Sequence, residues 1–220
     1  MMTKLKSDKR NFDGILLLDK SIGPSSNAAL QSVKTLFQAK KAGHTGSLDP
    51  LATGMLPICF GRATRFCQYL LAADKSYLVS FKLGVATTTG DKEGEVIATK
   101  RAPVLSQAEL EQYLVPFRGE ILQIPSMYSA LKHKGRPLYE YARKGIEIER
   151  EPRKLTINEF SILDINNELI CCKVTCSKGT YIRSLVTDLG EAIGCGAHVV
   201  ELRRLTVGAF KNKQMISFDK

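Results

Sequence analysis

A chain of 220 residues has room for one large domain, or for one domain carrying a sizeable insertion. Its 44% hydrophobic content is enough for a real core and excludes wholesale disorder. Lys and Arg number 32 against 22 acidic residues, and a charge of +10 favours a polyanionic partner, because each neutralised phosphate releases counterions. A solvated basic surface without a partner would carry the same charge.

Residues 1–11 begin basic, lack the apolar stretch of a secretory leader and read as a flexible arm. GILLLDK, from Gly14 to Lys20, suits a short buried strand. Ser25, Ser26 and Asn27 offer caps for a helix whose apolar stripe is Ala29, Leu30, Val33, Leu36 and Phe37. From Ala42 to Gly61 the abundance of Gly, Pro and Thr predicts mostly loop, with helix resuming from about Arg62 to Ala72. Tyr77, Val79, Phe81 and Leu83 alternate onto one face of a strand. Ser106 and Glu109 form a capping box for a helix over 107–114, with Leu105 and Leu110 placed to staple its start.

Between 126 and 154 eight basic residues oppose four acidic ones, with tyrosines interleaved. Leu169 to Cys176 reads as a strand. Thr180 can cap a helix that buries Tyr181, Ile182, Leu185, Val186, Leu189 and Ile193, and Val199 to Val207 reads as a last strand. Helices and strands intersperse without a regular βαβ beat, so the fold class is α+β with a mixed, mainly antiparallel sheet. The six cysteines form no CxxC pair and lie far from the three histidines. No zinc site is expected, and most should be reduced core residues. No stretch approaches a membrane span, and a cytoplasmic protein is expected.

AGHTGSLDPLATGML, from Ala42 to Leu56, is the most informative stretch. Its glycines Gly43, Gly46 and Gly54 allow close backbone approach, and Pro50 biases Asp49 toward an extended conformation. A carboxylate on such a loop can serve as nucleophile or base, although an ordinary Asp-Pro turn gives the same pattern. No Gly-Lys-Ser/Thr ending follows, so this is not a phosphate-binding P-loop. Arg183 falls in the first turn of a helix, where the dipole disfavours a cation. A nearby acid would offset that cost; a surface arginine paired with Asp188 or solvent is the alternative. Tyr77 shares a core face unless its ring lines a cavity, and His44 sits between glycine and threonine in a loop.

Taken together these segments resemble the TruB-type tRNA pseudouridine-55 synthases: GILLLDK, AGHTGSLDPLATGMLPICFG, DKSYLVSFKLG, IPSMYSALKHKGRPLYEYARKG, CSKGTYIRSL and GCGAHVVELRRL recur in order along almost the whole chain. The resemblance implies a pseudouridine synthase fold for 12–220, with a basic thumb insertion at about 126–154. It implies that Asp49 is the essential carboxylate, that Tyr77 packs on the flipped base and that Arg183 pairs with the aspartate. Lys20 supports the site, Leu202 lies near the base, and His44 fills the gap left by the extruded uridine. Lys132, Lys134, Arg136, Arg143 and Lys144 of the thumb are candidates for phosphate contact. Where many relatives have proline after the lysine, this chain has Ser21, which should loosen the turn.

Many bacterial relatives also continue into a small C-terminal RNA-binding domain that this sequence does not include. Isomerisation involves no net redox change and no hydrolysis, so no metal or organic cofactor is expected. The partner implied is the T-loop of tRNA, bound by a monomer without an obligate protein partner. A non-catalytic RNA-binding or tRNA-folding module would use the same charge but gives Asp49, Arg183 and Tyr77 no task. The same chemistry on another RNA is a further alternative.

Overall fold

The computed structural model describes residues 9–166 and 169–218. The chain divides into two compact units, Met1–Tyr77 with Arg203–Lys220, and Leu78–Leu202. Of the arm expected at 1–11, residues 1–8 lie outside the described residues. Arg10 is bonded into the first unit, donating to the Gln38 carbonyl (2.7 Å) and accepting from the Lys40 N–H (3.0 Å).

The first unit contains β1 (Gly14–Lys20), α1 (Ser26–Leu36), β2 (Ala42–His44), β3 (Thr53–Phe60), α2 (Cys67–Ala72) and the start of β4 (Lys75–Leu83). Its strands hydrogen-bond in the order β1-β3-β12, β12 being the last strand (Ala197–Val207), with β2 also on β3. β1 runs antiparallel to β3, and β12 parallel to it.

The sequence is corrected here at 42–61, which holds two strands rather than mostly loop. The apolar run Met55–Phe60 is buried at every position, so β3 lacks the alternation that would mark it as a strand in the sequence. Pro57 has no N–H to give, yet its carbonyl accepts from Thr45 (3.1 Å). Gly54 is no loop signal either: a Cβ there would lie 2.3 Å from the Arg204 carbonyl oxygen, so only glycine lets β12 approach β3. β1 is a half-buried strand at the end of this order, with Ile15 40% exposed, rather than a fully buried one. The stripe of α1 buries Ala29, Leu30 and Val33, but Leu36 and Phe37 at its end are exposed. The helix expected over 62–72 is a 3-10 segment, Gly61–Phe66, followed by the short α2.

The second unit contains the rest of β4, β5 (Val85–Thr87), β6 (Val96–Thr99), α3 (Gln107–Leu114), β7 (Gly119–Gln123), β8 (Lys132–His133), β9 (Arg136–Pro137), α4 (Leu138–Ala142), β10 (Arg153–Asn166), β11 (Leu169–Cys176), α5 (Ile182–Ile193) and the start of β12. Its order is β12-β4-β11-β10-β7, with β10 antiparallel to both β7 and β11. The α+β reading with a mixed, mainly antiparallel sheet therefore holds.

The core of this unit is Val79, Phe81 and Leu83 from β4, Phe160, Cys172 and Val174 from β10 and β11, and Leu110, Leu114, Leu185, Val186 and Leu189 from α3 and α5. The capping box of α3 forms as expected, with Ser106 and Glu109 each bonding the other's backbone N–H. Thr180 does not cap α5. The N-cap is Tyr181, and the Thr180 hydroxyl donates to the Ser177 carbonyl instead (2.9 Å). α5 packs close to β12 at Gly190, where a Cβ would lie 2.3 Å from the Ala197 nitrogen. All six cysteines are free thiols, and Cys59, Cys172, Cys176 and Cys195 are buried.

Candidate active site

In the first unit Asp49 lies between β2 and β3, half-buried, on a loop fixed from both sides. Ser26, at the start of α1, is buried and clasps the residue before it: the Leu48 N–H donates to Ser26 Oγ (2.7 Å), which donates to the Leu48 carbonyl (3.0 Å). The residue after it is held by Lys20, whose Nζ donates to the carbonyls of Ser21 (2.8 Å), Pro24 (2.9 Å) and Pro50 (3.3 Å). The Gly23 N–H also donates to Pro50 (2.9 Å), and the Ala52 N–H to the Asp49 carbonyl (3.0 Å). Leu48, Leu51 and Ala52 are buried beneath. The carboxylate is thus presented by a main chain tied at 48, 49 and 50. Ser21 in place of proline leaves its carbonyl as one of the lysine's acceptors.

His44 lies in β2, paired with Ile58, rather than in a loop. Its Nδ1 is buried without a hydrogen-bond partner among the described residues. Burial first, and then the charge of Arg204, pushes the imidazole below its ordinary pKa. Arg204 is 1% exposed and was not foreseen; its Nε donates to the Met55 carbonyl (2.7 Å) and an Nη to the Gly46 carbonyl (3.0 Å). Its neighbour Arg203 forms a two-pronged ion pair with Asp19 (2.6 and 3.0 Å). Tyr77 is buried in β4 as the alternation predicts.

In the second unit Arg183 is the second residue of α5 and is 5% exposed, so it is not a surface arginine. Its acidic neighbour within this unit is Asp91, with Nε 3.5 Å from Oδ2. One Nη donates to the Thr89 carbonyl (2.6 Å) and the other to the Tyr128 carbonyl (2.8 Å). Asp91 is itself oriented by the Thr89 hydroxyl (2.6 Å) and the Glu93 N–H (3.1 Å). Its role escaped the sequence reading because nothing local in TTTGDKEGE says which cation it meets. Asp188 has a different character: burial first, and then the Glu191 charge, raises its carboxyl to about 6. Leu202 is buried on β12.

The insertion folds as a β8–β9 hairpin followed by α4. Lys134 (φ 48°) and Gly135 (φ 82°) form its two-residue turn, both with positive φ. Lys132, Lys134, Arg136, Arg143 and Lys144 are all exposed, and Arg143 lies over the Tyr139 ring at 5.3 Å. Among the described residues there is no cluster of three metal-ligating side chains, and no helix is long and apolar enough to cross a membrane.

Residues 34–182 match the family model described as TruB family pseudouridylate synthase, N-terminal domain, and 183–220 match a tRNA pseudouridylate synthase B C-terminal domain. The first stretch takes in His44, Asp49, Tyr77 and the insertion, and the second takes in Arg183 and Leu202. The chain is 62% identical over 208 residues to a tRNA pseudouridine synthase B of Coxiella burnetii, covering 94% of this chain and 67% of that protein. It is 55% identical to the protein of the same name from Haemophilus influenzae, covering 100% of this chain and 70% of that protein. It thus spans about two thirds of the length of these curated relatives.

Among solved structures it resembles a chain of a Cbf5-Nop10-Gar1 complex, with TM-score 0.74 and 31% identity over 94% of this chain and 52% of that one. It also resembles a chain of an H/ACA RNP bound to a substrate RNA containing 2′-deoxyuridine, with TM-score 0.70 and 29% identity over 94% of this chain and 51% of that one.

Proposed function

This chain belongs to the TruB family of pseudouridylate synthases, and from that membership we propose that it isomerises a uridine in the T-loop of tRNA with Asp49 as the essential carboxylate. The observation that carries this reading is the fixed presentation of Asp49, with the main chain on either side held by Ser26 and Lys20. A carboxylate that needs no reordering can act as nucleophile or base at little entropic cost.

The reaction breaks the N1–C1′ bond of uridine, turns the uracil and joins C5 to C1′; C5 gives up its hydrogen as a proton and N1 takes up a proton, so the composition of the substrate is unchanged. With no electrons to supply or remove, the chemistry asks for no redox cofactor. The uridine must first leave its stack, at a cost of a few kcal/mol. In this reading Tyr77 and Leu202 take up the extruded base and a neutral His44 fills the gap, which offsets part of that cost. Arg183 serves Asp49 as its cation in this reading, and Asp91 keeps Arg183 in position. Residues 12–220 act as one catalytic domain, and the exposed cations of the thumb meet the phosphates of a T-arm bound by shape. The protein works as a monomer.

The test is the pseudouridine content of an unmodified tRNA transcript after incubation with this chain alone in metal-free buffer. Conversion at the T-loop uridine is the expected result. Binding without conversion, on both whole tRNA and an isolated T-arm hairpin, would point to an RNA-binding module instead.

A further inference from the structure

Gln123 ends β7 and leads through Ile124 and Pro125 into the thumb. Its side chain is 1% exposed, and its amide faces the main chain of Tyr181. Nε2 donates to the Tyr181 carbonyl (3.1 Å), and Oε1 accepts from the Tyr181 N–H (2.8 Å). Tyr181 is the N-cap of α5, a helix start with no side-chain cap hydrogen bond, and Arg183 follows two residues later. The amide therefore ties down the main chain of the residue at which α5 begins.

A second tie joins the same two regions. Arg183 donates to the Tyr128 carbonyl (2.8 Å), while the Tyr128 N–H donates to Ser126 Oγ (3.1 Å) and Arg150 donates to the Pro125 carbonyl (3.0 Å). The root of the thumb is thus pinned to the start of α5 at two points, Gln123 on Tyr181 and Arg183 on Tyr128. The side-chain amide donates to the carbonyl and accepts from the N–H of one residue at once, and at a buried site the loss of that amide leaves both main-chain groups without it.

The geometry points to Gln123 as a positioning residue for the isomerisation: it sets the guanidinium of Arg183 and makes the thumb root and that arginine move together. A thumb that shifts when RNA binds is then felt at Arg183 without any contact between Gln123 and the substrate. This rests on the uridine-isomerising reading above.

Gln123→Met keeps the volume and removes the amide, and is compared with wild type in single turnover on a T-arm hairpin. The expected result is a rate at saturating RNA lower by about 10–100-fold, the scale of a misplaced reacting group, with RNA affinity nearly unchanged. Gln123→Glu keeps the acceptor for the Tyr181 N–H and should recover part of the rate. Amide exchange over residues 126–131 should quicken in the methionine variant. A folded Gln123→Met that turns over at the wild-type rate, or that loses rate and affinity only in proportion to its unfolded fraction, would overturn the assignment.

Amide exchange also decides the matter without activity. A Tyr181 N–H that exchanges slowly in wild type supports the tie even if the methionine variant does not fold, and fast exchange overturns it. Failure of the wild type to convert RNA would count against the proposed function instead, and the exchange arm would still decide the tie.

Discussion

His44 shows how a single residue acquires its property from neighbours that the sequence does not place beside it. Its ring is half-buried with Nδ1 fully enclosed, and protonation would add a second positive charge near Arg204. The unfolded chain takes up that proton near 6.5, before the folded one does, so the stability His44 contributes is present above pH 6.5 and is lost as pH falls through the lowered folded value. We predict that the His44 ring, followed by NMR, titrates below 6.5, and that it rises toward the ordinary value in Arg204→Met; a wild-type value at or above 6.5 would refute this. Asp49, Lys20, Tyr77 and Arg183 are candidates because their segments resemble those of a known family. Asp91, Arg204 and Gln123 were not legible, because each acts through a main-chain group or a cation brought to it only by the fold.

At the scale of elements, some local signals were read correctly and others were not, Thr180 being the cap that failed. The capping box of α3 and the alternation of β4 depend on neighbours within a few residues, and both appear as expected. Region 42–61 failed as a prediction because its glycines and prolines serve strand packing that only β1 and β12 explain.

The serines at the start of α1 give the sharpest contrast. Ser25 is the N-cap, accepting from the Ala28 N–H (3.1 Å), whereas Ser26 turns inward to the Leu48 main chain. Ser25→Ala should cost about 1 kcal/mol of stability and leave turnover intact. Ser26→Ala should cost about 1–3 kcal/mol, because it strands two buried main-chain groups. It should also slow turnover by more than it weakens RNA binding. Equal effects of the two substitutions on turnover would show that the clasp on Leu48 does not position Asp49.

For the whole molecule, charge and pH are the accessible variables. The excess of 32 basic over 22 acidic residues predicts RNA affinity that falls steeply with salt. Neutralising Lys132, Lys134, Arg136, Arg143 and Lys144 together should flatten that slope, and an unchanged slope would remove the thumb from phosphate contact. Global stability should carry the signature of Asp188, whose folded pKa of about 6 lies above its unfolded value of 3.8. For a carboxyl raised in this way, the contribution is most favourable below 3.8 and is lost as pH rises through 6. Asp188→Asn should therefore stabilise the protein at pH 8, by less than the full shift implies because solvent screens a half-buried carboxyl, and have little effect near pH 3.5, as read from urea midpoints. A variant no more stable than wild type at pH 8 would contradict the raised carboxyl.

The most direct test of the central claim compares Asp49→Asn with wild type for pseudouridine formation and for T-arm binding in the same buffer. The substitution keeps the shape of the side chain and removes its charge. Abolished turnover with binding essentially retained is the predicted result. Turnover that survives, or that is lost only in step with binding, would contradict Asp49 as the carboxylate that carries the chemistry.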